Sequence, residues 1–162
     1  MFYTLSKWLT IAVVVMMLLL HVRQWVSGRG YAKELFDGVV DYSEILHARR
    51  HHFSEHWGAG CTYALVALSQ PTDPFPPEKI VRGPFGAFAT ENWQQTPAPE
   101  ETMPGSGETS LMNLCESLMP RKIWVMFDRA LYSQGSYYWG DHEKINIYSP
   151  MEGFAVQFRY GD

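Results

Sequence analysis

Cysteine is nearly missing from this chain: two of its 162 residues, Cys61 and Cys115, carry a thiol. That excludes any disulfide framework larger than one intramolecular bridge. Such a bridge closes a loop of about 54 residues and, by the chain-entropy argument, stabilises by roughly 4 kcal/mol. The alternative is a pair of buried free thiols, since unpaired cysteine is among the most buried residue types. Charge of one sign is also scarce. Thirteen Lys and Arg stand against 17 Asp and Glu, for a formal net charge of -4. A chain so balanced has no electrostatic footprint for neutralising a phosphate backbone, so nucleic acid is not an expected partner. The sequence also lacks a GxSxG elbow, a phosphate-cradling glycine loop and a paired-carboxylate signature, so no motif of these kinds nominates an active site.

What the chain does have is a run of apolar residues near its start. "WLTIAVVVMMLLLHV", residues 8–22, holds no formal charge and is too apolar to be one face of a water-soluble helix. At about 1.5 Å per residue it covers about 22 Å, and extension back to Leu5 gives roughly 27 Å, close to a hydrocarbon core of about 30 Å. Lys7 is placed to snorkel to one surface, while Trp8 and Trp25 mark the two interfaces. A cleaved signal peptide would end in small residues, whereas this run is followed by His21, Arg23, Gln24 and Trp25. The expectation is therefore an uncleaved anchor over residues 1–26, touching membrane lipid through residues 5–22. Orientation draws on opposed signals. Arg23, Arg29 and Lys33 after the run argue for a cytoplasmic domain. The six-residue segment before it has the form of a signal anchor that exports the downstream chain. With an aromatic-rich domain carrying two cysteines, the adopted reading is a domain in the periplasm or outside the cell.

Residues 27–40 contain three glycines and no sustained period, and read as a linker. From residue 41 to residue 162 a single soluble domain is expected, of a size ordinary for one core. Asp41 and Glu44 have the spacing of a capping box, and Gly58 supplies a stop, which predicts a helix over about 42–57. "CTYALVALS" is short, apolar and β-branched between glycine and proline, as a strand buried on both faces should be. Prolines then keep much of residues 70–108 out of regular structure, apart from a short strand near Ile80 and Val81. The segment "TPAPEETMPGSGET" within it is acidic and nearly free of large apolar side chains. Leu111, Leu114, Cys115 and Leu118 follow Thr109 and Ser110 at helical spacing and end at Pro120. "KIWVMFD", "SYYW", "KINIY" and "FAVQFRY" then alternate as strands, with Phe154, Val156, Phe158 and Tyr160 on one face and Gln157 and Arg159 on the other. The fold class predicted is α+β: an N-terminal transmembrane helix, then an antiparallel β-meander packed on one or two helices.

"HARRHHFSEHW", residues 47–57, concentrates four of the six histidines. His52, Glu55 and His56 match the HxxEH order of inverted zinc proteases, with the histidines as ligands and Glu55 as base. A catalytic zinc needs a third protein ligand and an open water position. An acidic residue of the long loop or His142 would have to provide that ligand, and no spacing selects one. The resemblance covers five residues, so zinc and a hydrolase stand as the alternative only. On a helix, His47 and His51 share the polar face opposite Leu46, Phe53 and Trp57, and with Arg50 form a candidate contact face. That face would gain charge as pH falls through about 6.5 and favour acidic partners or headgroups. A structural role is expected for Cys61, because a helix C-terminus disfavours a thiolate.

Tyr137, Tyr138 and Trp139 beside Asp141, His142 and Glu143 suggest envelope glycan binding as a further alternative, against ordinary cross-strand packing. The order of elements also resembles pilin-like subunits in outline. However, no processing glycine precedes the apolar run and no glutamate stands near its start, so nothing is carried over from that family. The functional expectation is a single-pass, membrane-anchored binding or assembly module of the cell envelope, partnered by another envelope protein, with no cofactor and no assigned catalytic residue.

Overall fold

The structure, a computed structural model, describes residues 2–50, 61–78, 88, 92–99, 119–140 and 144–160. Helix α1, Phe2–Phe36, is continuous over 35 residues. It has two parts of different character. From residue 6 to residue 26 every side chain is exposed, although most are apolar. From there Gly28, Tyr31, Ala32, Leu35 and Phe36 are buried, at positions i, i+3, i+4, i+7 and i+8, the stripe by which a helix docks on a core. Residues 27–36 are therefore the docking segment of α1 and not a connector. The glycines of this stretch disguise the stripe, and one of them belongs to it. Among the described residues, α1 is the one helix long and apolar enough to cross a membrane. Gly38, at φ 72°, ends it in the left-handed conformation, and Val40 N–H donates back to the Phe36 carbonyl at 3.2 Å.

The chain then reverses into β1, Tyr42–Arg49, which pairs antiparallel with β2, Cys61–Leu68. The helix expected from residue 42 is thus a strand through residue 49, and residues 51–57 of that expectation lie outside the described residues. The capping-box spacing at Asp41 and Glu44 is a local preference, and the edge of a sheet outweighs it with a ladder of main-chain hydrogen bonds. The register of β1 slips twice, between Tyr42 and Glu44 and between Ile45 and His47. Bulges of this kind twist an edge strand away from further pairing.

Strands β3 (Gln94–Gln95), β4 (Tyr137–Gly140), β5 (Lys144–Ser149) and β6 (Phe154–Tyr160) complete a six-stranded antiparallel sheet of order β1-β2-β6-β5-β4-β3. Helix α2, Arg121–Tyr132, lies between β3 and β4 in the chain. The alternation in "KIWVMFD" predicts a strand there, and the structure corrects it. The same residues carry a helical stripe, with Phe127, Ala130 and Leu131 buried and Ile123 and Trp124 packed beside them. Val125, which a strand would have buried with Ile123 and Phe127, is 52% exposed. Arg129 donates to both carboxylate oxygens of Glu152, at 2.7 and 2.6 Å, tying the last turn of α2 to the β5–β6 turn. The amphipathic helix expected at residues 111–118 and the strand near Ile80 and Val81 fall outside the described residues.

The fold is α+β, with one helix on each face of the sheet. On one face Tyr63, Leu65, Ile145, Ile147, Phe154, Val156 and Phe158 pack against α2. On the other Ala64, Val66, Leu68, Tyr148 and Ala155 pack against the docking segment of α1 and Phe88. Covering both faces explains why β2 is buried almost throughout, as its composition suggested. It also explains Gln157, which lies as expected on the face opposite Val156 and Phe158 and is fully buried there under α1. Its amide joins a buried polar chain: Tyr31 O–H donates to Gln157 Oε1 (2.7 Å), Gln157 Nε2 donates to Asn146 Oδ1 (2.7 Å), and Asn146 Nδ2 donates to the Phe88 carbonyl (3.2 Å). The chain links α1, β6, β5 and the segment at Phe88, and satisfying each member is what makes its burial tolerable.

Candidate functional site at the α1–β1 junction

The site is made by a close crossing. At Gly28 the backbone of α1 lies against β1, so that a Cβ there would stand 2.5 Å from the Ala48 carbonyl oxygen. Only a glycine permits that approach. On the N-terminal side of the crossing α1 stands clear of the core, and the corner between helix and edge strand forms a cleft of about 560 Å³. Its walls include His21, Trp25 and Arg29 of α1, His47 and Arg49 of β1, and Tyr63 of β2. Trp25 and Arg29 are neighbours one turn apart on α1, and the Arg29 guanidinium sits 4.8 Å from the indole centroid.

His47 and Tyr63 form the back of the cleft. Their rings are stacked at 5.5 Å with 14° between planes, and the Tyr63 hydroxyl lies 3.0 Å from His47 Nδ1. The hydroxyl donates when the imidazole carries its proton on Nε2. Burial pushes the Tyr63 phenol up to about 12, an effect that the Arg49 charge partly offsets. Burial also holds His47 below the ordinary imidazole value, and the Arg49 guanidinium adds to the same direction. A neutral imidazole against a protonated phenol is a packed polar contact, and among the described residues no carboxylate lines the cleft beside it. What the cleft offers is positive charge from two arginines beside an aromatic wall.

The residues singled out from sequence are distributed differently from a helical arrangement. His47 is on β1 and half-buried, Arg50 directly follows that strand, and His51 lies outside the described residues. His47 is thus placed on a strand and not on the helix expected to carry the contact face, and it resists gaining charge in mild acid where an exposed imidazole gains it. His52, Glu55, His56 and His142 lie outside the described residues, and among the described residues no three His, Cys, Asp or Glu side chains group as metal ligands. Cys61 opens β2, is buried and is disulfide-bonded, while Cys115, the chain's other cysteine, lies outside the described residues. The helix whose C-terminus was expected to act on Cys61 is β1 through residue 49, so the argument from its dipole does not apply to the described residues.

The aromatic triplet in β4 is divided by strand alternation. Tyr138 enters the core beside α2 and its hydroxyl donates to Gln94, whereas Tyr137 packs on the α1 side. Trp139 lies under the Lys144 ammonium at 4.9 Å. The triplet therefore does not present three rings on one surface. Sequence reasoning missed Gly28, Arg29 and Tyr63 as parts of a site. The helical spacing of Gly28 with Tyr31, Ala32 and Leu35 was the signal that could have exposed the first. Comparison of the chain with family models, with curated proteins and with solved structures finds no match.

Proposed function

We propose that this chain is a single-pass, membrane-anchored binding or assembly module of the cell envelope, with its α+β domain on the extracytoplasmic side. The observation that carries the reading is the division of α1. Its exposed apolar part, residues 6–26, is about 31 Å long at 1.5 Å per residue, the thickness of a hydrocarbon core. In water that surface would be a large aggregation liability, and in lipid it is solvated. The same helix then continues without interruption into the domain core, so no linker separates the anchor from the domain. The disulfide at Cys61 supports an oxidising compartment, because such bonds persist outside the reducing cytosol. A binding role accords with a cleft whose described lining joins arginine charge to aromatic rings.

Two measurements test it. The full-length protein should stay in the membrane pellet after alkaline carbonate extraction. A reporter active only outside the cytoplasm, fused after the C-terminus, should be active, and the same reporter fused before residue 1 should be silent. Recovery in the carbonate supernatant would sink the anchor, and the reverse reporter pattern would sink the orientation alone.

A further inference from the structure

We propose that the α1–β1 cleft binds the phosphate of an anionic phospholipid headgroup. The inference rests on the membrane-anchor reading and assigns that anchor a specific lipid contact. Three observations carry it. The first is depth. His21 and Trp25, in the last turns of the exposed apolar part, and Arg29, just past its end, line the cleft, so a helix inserted through that part holds the cleft at the lipid–water boundary. Val22 and Leu18, exposed one turn and two turns before Trp25 on the same helix, continue the cleft's wall towards the hydrocarbon and offer a surface to acyl chains.

The second observation is charge. The whole chain is acidic, at -4, yet the described residues that line the cleft bring two guanidinium groups and two imidazoles and include no carboxylate. A guanidinium presents a fork of donors that matches the oxygens of a phosphate. The third is composition and size. Trp25 puts an indole at the level where headgroups meet chains, with Arg29 laid against it. A space of about 560 Å³ accommodates a headgroup and leaves the chains outside along the helix.

The test uses the full-length protein reconstituted in phosphatidylcholine vesicles doped with spin-labelled phosphatidylglycerol or spin-labelled phosphatidylcholine, with the motionally restricted fraction read by electron paramagnetic resonance. The protein should hold the phosphatidylglycerol label in preference to the phosphatidylcholine label. Arg29 is exposed, so Arg29→Gln leaves the fold intact and should reduce that preference roughly fivefold, the effect of one surface cation near anionic lipid. Arg29→Lys should restore most of it, and Lys7→Gln, at the far end of α1, should leave it unchanged. Equal restriction of the two labels, or a preference that survives Arg29→Gln, would overturn the headgroup site while leaving the anchor intact. Displacement of the label by millimolar inorganic phosphate would assign the cleft to free phosphate and also overturn it. A protein that restricts neither label is not inserted, and both readings then fall together.

Discussion

Gly28 and Gly30 stand two positions apart on α1 and differ completely in what a methyl group would meet. At Gly28 the added carbon collides with the Ala48 carbonyl, part of a paired strand that cannot step aside; at Gly30 nothing lies within 4 Å. Gly28→Ala should therefore destabilise the domain by about 1–3 kcal/mol, as overpacking does. Gly30→Ala should stabilise it by up to about 1 kcal/mol through helix propensity. Denaturant melts of the detergent-solubilised protein would distinguish the pair, and equal effects would mean that the crossing is looser than described. His47 makes a second prediction at this scale. Its folded-state value lies below the ordinary 6.5, so the unfolded chain takes up a proton first as pH falls. Stability should decline from about pH 6.5 downward until the folded imidazole itself titrates, and be unaffected by His47 above that range. In His47→Phe, which keeps a ring against Tyr63, this part of the decline should vanish. Parallel wild-type and variant curves of melting temperature against pH would refute the assignment.

At the scale of elements, α2 and β1 show how a short segment is decided by its neighbours. "KIWVMFD" contains both a two-residue and a 3.6-residue pattern, and only the layer that covers the sheet selects the second. The two patterns disagree at Val125, which a strand buries and a helix exposes. Val125→Glu should change stability by no more than about 0.5 kcal/mol, whereas Phe127→Ala should cost about 3–5 kcal/mol. A large loss from Val125→Glu would contradict the helix. β1 is the converse case, a segment of good helix formers held extended by β2, with α1 lying across it. Strands β2, β4, β5 and β6 were legible because their β-branched and aromatic alternation agrees with their tertiary surroundings. The burial of Gln157 was not, since a polar residue on an alternating strand looks solvated until a helix bearing Tyr31 is placed above it.

For the molecule as a whole, the unusual feature is a single helix that serves as both an exposed apolar rod and one layer of a three-layer domain. Truncation separates the two roles. A chain beginning at Ser27 keeps the buried stripe of α1 and should be soluble and folded. One beginning at Asp37 uncovers Ala64, Val66, Tyr148 and Ala155 and should aggregate. Light scattering and circular dichroism of the two fragments would check this, and a well-folded monomer from Asp37 onward would show that α1 is dispensable to the core. The apolar run, the cysteine pair and the strand-rich second half could be read from residues alone, because hydropathy and short-range alternation are properties of a segment. The site could not. It depends on a glycine letting a helix lie on a strand distant in sequence, which brings Arg29 to Arg49 and Tyr63, and proximity of that kind is a property of packing that no local pattern encodes.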